Sequence, residues 1–76
     1  MFNDTVFVIQ SIPADKTIPA MYWSVFETTL GDYGAWSFDV QDAKQYQTVA
    51  AAWEFASTND GLNLTDDQFH ILPYIH

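Results

Sequence analysis

Carboxylates are the side chains of this sequence with the most obvious chemical use. Ten acidic residues stand against two basic ones, neither of which is arginine, and the formal net charge is −8 over 76 residues. Alternate residues of a β-strand lie ~6.6–6.8 Å apart, close to the spacing of phosphates along a DNA strand. An ordinary surface mixes both signs of charge, so this imbalance predicts a surface that attracts basic partners by imitating nucleic acid.

The candidate partner-binding carboxylates fall into two sets. The first is a predicted row of negative charge along a hairpin: Glu27, Asp32, Asp39 and Asp42. The second is scattered over the C-terminal half of the chain: Glu54, Asp60, Asp66 and Asp67. The alternative is a solvated acidic surface without a specific partner, and the sequence leaves both interpretations open.

Aromatic residues supply the candidate binding anchors, because aromatic side chains often dominate the energy of protein interfaces. The chain has three Trp, four Tyr and six Phe. Phe55 falls opposite Tyr46 on the predicted helix, so it either packs under the C-terminal segment or the 13–19 loop, or is an exposed anchor. Trp23 is a second anchor candidate, because the predicted register places it on the face of Glu27. The aromatic residues that fit a core are Trp36, Phe38, Tyr46 and Trp53.

The sequence gives little support for catalysis or metal binding. Asp66, Asp67 and His70 have one-turn spacing, but the two aspartates are better suited to the positive end of a short helix. No elbow motif surrounds any serine, and a chain without cysteine has neither a thiolate zinc site nor a thiol nucleophile. We therefore expect no enzymatic activity, no catalytic residue, no metal and no cofactor.

Length and composition predict one domain over residues 1–76. The absence of cysteine favours a reducing cytoplasm, and residues Met1–Asp4 lack the basic region of a signal peptide. No apolar run approaches the ~18–20 residues of a membrane span. With Lys16 and Lys44 as the only basic residues, we expect no direct binding to nucleic acid or to an anionic membrane.

Residue patterns predict the order β-β-β-α-β, an α+β fold in which one helix packs on one face of a small antiparallel sheet of about four strands. The predicted strands are Thr5–Ile12, Met21–Leu30, Ala35–Gln41 and Phe69–Ile75. Gly31–Gly34 is predicted as a turn, and Thr65–Gln68 as a single helical turn. Pro73 cannot donate to a ladder, which indicates an edge strand or the end of a strand.

Two finer predictions concern the register of the central hairpin and the start of the helix. If Phe26 and Phe38 share the buried face, Glu27 and Asp39 share the wet face, which requires a loop of three or five residues. The alternative register buries Glu27 near Trp36, at a cost for an unpaired carboxylate. A capping box at Asp42–Gln45 predicts a helix to about Thr58, with one apolar stripe: Tyr46, Val49, Ala50, Trp53 and Ala56.

In size, acidity and lack of cysteine, the whole chain resembles the class of small acidic proteins that phages encode against host defence. That class includes anti-CRISPR proteins, antirestriction proteins and inhibitors of DNA-repair glycosylases. The resemblance implies an inhibitor in the host cytoplasm that blocks a nucleic-acid site, with a CRISPR effector or nuclease as the favoured target. Two alternatives remain: an immunity protein or antitoxin against a basic nuclease toxin, and a small adaptor subunit of a larger assembly.

Overall fold

The computed structural model describes residues 5–75, which form an antiparallel four-stranded sheet and one α-helix. The elements in chain order are β1 (Thr5–Ser11), β2 (Tyr22–Thr28), β3 (Gly31–Ser37), a 3₁₀ turn (Val40–Asp42), α1 (Val49–Ser57) and β4 (Phe69–Ile75). The spatial order of the strands is β3-β2-β1-β4. The predicted α+β fold is confirmed. Residues 1–4, on which the prediction about a signal peptide rests, and residue 76 lie outside the described residues.

None of the helices within residues 5–75 has the length and apolar character needed to span a membrane.

The last strand, β4, has the predicted bounds, and it is an edge strand as Pro73 requires. Pro73 lies opposite Phe7 of β1. The Phe7 N–H donates to the Tyr46 carbonyl oxygen and the Phe7 carbonyl accepts from the Tyr46 N–H, both at 2.8 Å. The backbone of Phe7 therefore bonds away from β4, and the missing N–H of Pro73 leaves no ladder bond unmade.

The β2–β3 hairpin closes with a two-residue turn, Thr29 and Leu30, so the predicted odd-length loop and the turn at Gly31–Gly34 are wrong. Gly31 has a φ of 120°, a conformation that residues with a Cβ rarely adopt. The Thr28 hydroxyl donates to the Gly31 carbonyl oxygen at 2.7 Å and accepts from the Leu30 N–H at 3.2 Å. These local contacts make Gly31 the closing residue and start β3 four residues earlier than predicted.

The even-length turn reverses the predicted faces. Glu27 pairs with Asp32, and Trp23 pairs with Trp36, so Glu27 shares the face of the tryptophans. This is the alternative register, which was expected to bury the Glu27 carboxylate near Trp36. Glu27 is nevertheless exposed, because it lies next to the turn, beyond the packed part of that face. Phe38 lies past the end of β3 and is 63% exposed, so its predicted place in the core is wrong.

The helix begins after Thr48, not at the capping box predicted at Asp42. The Thr48 side chain accepts a hydrogen bond from the Ala51 N–H at 3.0 Å, which is an N-cap. Residues 43–46 are extended instead: Ala43 forms a bridge with Ser24, and Tyr46 forms one with Phe7. Pairing with two strands satisfies more backbone groups than one side-chain cap would, and it delays the helix.

Small residues set the buried face of α1. Ala52 and Ala56 are fully buried against Ile9 and Phe69, and they let the helix approach the sheet closely. Val49 and Trp53 of the predicted stripe are 49% and 44% exposed. The predicted stripe began at Tyr46. Because Tyr46 precedes the helix, its position does not determine which side of the helix faces the sheet.

Candidate functional site

All nine carboxylates within residues 5–75 belong to exposed residues, and so do both lysines. Asp4 is the only acidic residue outside the described part of the chain. No described carboxylate is therefore taken up in the core. The eight predicted binding carboxylates lie in four places: the hairpin turn, the 3₁₀ turn, the C-terminal end of α1, and the turn before β4.

Glu27 and Asp32, called here the tip pair, lie directly opposite each other beside the hairpin turn. Side chains in this relation have Cβ atoms about 4.5–5.5 Å apart, and like charges at that distance destabilise a hairpin. Leu30 in the adjoining turn is 98% exposed. The tip pair therefore presents two repelling carboxylates next to one uncovered apolar side chain.

Asp39 and Asp42, called here the turn pair, are held by hydrogen bonds around the 3₁₀ turn. The Asp39 carboxylate accepts from the Gln41 N–H at 2.9 Å, and the Asp42 carboxylate accepts from the Ser37 hydroxyl at 2.9 Å. The neighbouring Phe38 supplies an exposed ring. The turn pair thus repeats the combination of two carboxylates and one apolar group, in a fixed arrangement.

The tip pair and the turn pair lie at opposite ends of β3, which corrects the predicted continuous row of charge. Asp32 is the second residue of the strand, and Asp39 follows the last one, Ser37. From Asp32 to Ser37 the strand spans about 17 Å at ~3.4 Å per residue. The two-residue turn is the cause, because it moves Asp32 into the strand next to Glu27 and leaves Asp39 outside it.

Glu54 and Asp60 border a groove at the C-terminal end of α1, called here the aromatic groove. Its volume is about 380 Å³, and its lining residues are Tyr46, Ala51, Glu54, Phe55, Thr58 and Asp60. Burial raises the pKa of the Tyr46 hydroxyl to about 12, against a smaller opposing effect of the Trp23 indole. The groove therefore joins two exposed carboxylates to a partly dehydrated aromatic surface.

The two predicted anchors, Trp23 and Phe55, are half-buried. Phe55 packs against Trp23 and Tyr46, at ring-centroid distances of 5.9 and 6.0 Å, two partners that neither of its predicted alternatives named. Trp23 also packs edge-on against Trp36, at 5.6 Å, and its indole nitrogen is buried without a well-aligned hydrogen-bond partner. Trp23 is therefore a residue of the core margin, while Phe55 faces the aromatic groove.

Asp66 and Asp67 lie in the turn before β4. The Gln68 N–H donates to the Thr65 carbonyl oxygen at 2.9 Å, which closes a turn, but none of its residues is helical, so the predicted helical turn is wrong. The Gln68 side-chain oxygen accepts from the Thr65 N–H at 2.9 Å, and the Asp67 carboxylate accepts from the Thr65 hydroxyl. Asp67 also lines a second groove, of about 440 Å³, beside Trp36. The part of the chain that the structure describes contains no group of three potential metal ligands, and Asp66, Asp67 and His70 do not form one.

Sequence reasoning missed Leu30 and Phe38 as exposed apolar groups. A signal existed for Leu30, because the glycine that follows Thr-Thr-Leu can take the positive-φ position that closes a hairpin after a type I turn. For Phe38 the signal was the following Asp39, whose side chain caps the 3₁₀ turn and ends the strand.

No protein-family model matches the chain, and neither a curated protein nor a solved structure matches it.

Tyr46 is expected to make stability depend on alkaline pH. Its pKa in the folded protein, about 12, lies above the ordinary value of about 10, so the unfolded chain loses the proton first. The contribution of the protonated Tyr46 hydroxyl to the free energy of unfolding is present below pH 10 and is lost as the pH rises toward 12. Urea unfolding at pH 8 and pH 11 should show a smaller loss for Tyr46→Phe than for the parent protein.

The matched control is Tyr33→Phe, which removes the phenolic hydroxyl from a residue that is 53% exposed. Tyr33→Phe should lose as much stability between pH 8 and pH 11 as the parent protein does. Equal losses for Tyr46→Phe and Tyr33→Phe would contradict the assignment of the effect to Tyr46.

Proposed function

We propose that this protein is an inhibitor that binds a basic nucleic-acid-binding protein and covers the site where the nucleic acid would lie. The observation that carries the proposal is the exposure of all nine described carboxylates, against two lysines, on a folded scaffold. An acidic surface of this kind steers a basic partner toward itself and accelerates the encounter. The resemblance to phage proteins that act against host defence makes a CRISPR effector or its nuclease the favoured target.

The tip pair and the turn pair are the proposed contact points. Each presents two carboxylates beside an uncovered apolar side chain, Leu30 or Phe38. Charge alone gives an affinity that falls steeply with salt, whereas apolar contacts persist. Hydrogen bonds already hold Asp39 and Asp42 in place, which reduces the entropy lost on binding.

The test begins with capture of host proteins from a nuclease-treated lysate on the immobilised protein at about 50 mM salt. The captured protein is then purified and loaded with a fluorescent nucleic acid. We expect the inhibitor to displace the label competitively, and to do so less well at about 200 mM salt. The identity of the captured protein separates a CRISPR effector from the nuclease of an immunity pair.

The decisive variant is Glu27→Gln/Asp32→Asn/Asp42→Asn. It changes the net charge from −8 to −5 by removing three of the negative charges, and it leaves Asp39 to cap the 3₁₀ turn. An amide oxygen at position 42 still accepts a hydrogen bond. We expect displacement to weaken about tenfold or more, which corresponds to ~1.4 kcal/mol of binding free energy.

The matched control, Asp15→Asn/Asp66→Asn/Asp67→Asn, has the same net charge but keeps both pairs. It should slow association and leave most of the affinity intact. If saturating inhibitor leaves the nucleic acid bound, or if the two variants weaken binding equally, imitation of nucleic acid by the hairpin carboxylates is refuted.

A further inference from the structure

The aromatic groove lies where the helix α1 ends, and its chemistry differs from that of the tip pair and the turn pair. Glu54 is in the last turn of the helix, Thr58 is its C-cap, and Asp60 follows in the connection to β4. A volume of about 380 Å³ is at the small end of ligand sites, and it suits one long side chain better than a stretch of oligonucleotide.

The floor of the groove is aromatic. The Phe55 ring packs against the rings of Trp23 and Tyr46, at centroid distances of 5.9 and 6.0 Å, and it lines the groove. Because these two contacts already hold the ring, little side-chain entropy is lost when a ligand packs on it. Aromatic faces carry negative potential and attract cations that lie over them.

The rim and the surrounding backbone are negative as well. Glu54 and Asp60 are exposed carboxylates, and the C-terminal end of a helix carries the negative pole of its dipole. No basic residue occupies the last turn of α1, and none of the residues that line the groove is basic. The aromatic ring, the two carboxylates and the helix end therefore all favour a bound cation, and no residue that lines the groove is itself a cation.

We propose that the aromatic groove binds an arginine side chain of the target protein. The guanidinium group stacks on Phe55 and donates hydrogen bonds to Glu54 and Asp60. Arginine fits better than lysine because its planar group both stacks on rings and donates to two carboxylates, and because it is more weakly hydrated. This inference rests on the proposed function, since it names a residue that the basic target presents beside its nucleic-acid site.

The first experiment uses a capped Gly-Arg-Gly peptide as the probe, with NMR of the intact protein. We expect saturable shifts of the Phe55 and Tyr46 ring signals, together with upfield ring-current shifts of the arginine side chain. The matched peptide with citrulline, which has the same shape without the charge, should bind at least about tenfold more weakly. Equal binding of both peptides would overturn the proposal.

The variant Glu54→Gln/Asp60→Asn should weaken arginine-peptide binding roughly tenfold while the groove keeps its shape. The control Asp66→Asn/Asp67→Asn removes the same charge elsewhere and should leave the shifts unchanged. Unaltered binding by the groove variant, or equal weakening by both, would show general charge attraction and refute the site.

The two proposals fail in distinguishable ways. If the arginine peptide binds in the groove but the protein does not displace nucleic acid from its captured target, the inhibitor proposal is wrong and the arginine site remains. If the protein displaces nucleic acid and Glu54→Gln/Asp60→Asn does so as well as the parent protein, the arginine site in the complex is refuted.

Discussion

Replacing Phe69 with alanine is expected to leave the protein largely unfolded at 25 °C. Phe69 is 2% exposed, and its ring lies 4.9 Å from that of Trp53 and against Ile9 and the buried alanines of α1. Removal of a buried phenylalanine ring costs about 3–5 kcal/mol. The free energy of unfolding of a chain of this size rarely exceeds about 3–5 kcal/mol. The loss from this one substitution is therefore as large as the total stability of the fold.

Circular dichroism and urea unfolding measure the effect, and Phe38→Ala is the matched control. Phe38 undergoes the same chemical change, but its side chain is 63% exposed, and so its loss should change the free energy of unfolding by less than about 1 kcal/mol. If Phe69→Ala retains a cooperative transition close to that of the parent protein, Phe69 is not the centre of the core.

The fold class followed from the sequence because its strongest local patterns agree with the tertiary structure. The last strand, β4, was predicted with its observed bounds, since an apolar run follows the polar turn at Thr65–Gln68 and its proline indicates an edge strand or the end of a strand. The first two strands were predicted to within a few residues. In these elements, local preference and sheet pairing favour the same backbone.

The hairpin register could not be deduced because two glycines compete to close the turn. Gly31 and Gly34 are three residues apart, and the choice between them moves every β3 side chain to the other face. The backbone decides it: Gly31 has a φ of 120°, whereas Gly34 lies inside the strand opposite Val25. An apparent capping box at Asp42 was equally misleading, because segment 43–46 pairs with β1 and β2.

The candidate site, like the fold, could be predicted from the sequence only in part. That the carboxylates are exposed follows from the sequence, because an unpaired charge is costly to bury. Their grouping does not follow, because it depends on the hairpin register and on where the helix ends. The aromatic groove in particular needs Tyr46 in an extended segment and Phe55 on the helix, an arrangement that the predicted single helix would have excluded.

Replacing Gly61 with alanine is expected to cost about 3 kcal/mol, the upper end of the usual range for overpacking. A Cβ atom at Gly61 would overlap the carbonyl oxygen of Phe55, which is backbone and cannot turn aside. The same carbonyl accepts from the Leu62 N–H at 2.9 Å, and the Ala56 carbonyl accepts from the Leu64 N–H at 2.8 Å. The added methyl group forces these bonds apart.

The control for Gly61→Ala is Asn63→Gly, two residues further along the same connection. Asn63 has a φ of 52°, which glycine adopts without strain, so this variant should change the free energy of unfolding by less than about 0.5 kcal/mol. Urea unfolding of both variants gives the comparison, and equal stabilities would show that the connection does not press on the helix end. The arginine peptide adds a second measurement. Because Gly61 is joined to Asp60, its displacement should also weaken peptide binding in the aromatic groove, whereas Asn63→Gly should leave that binding intact.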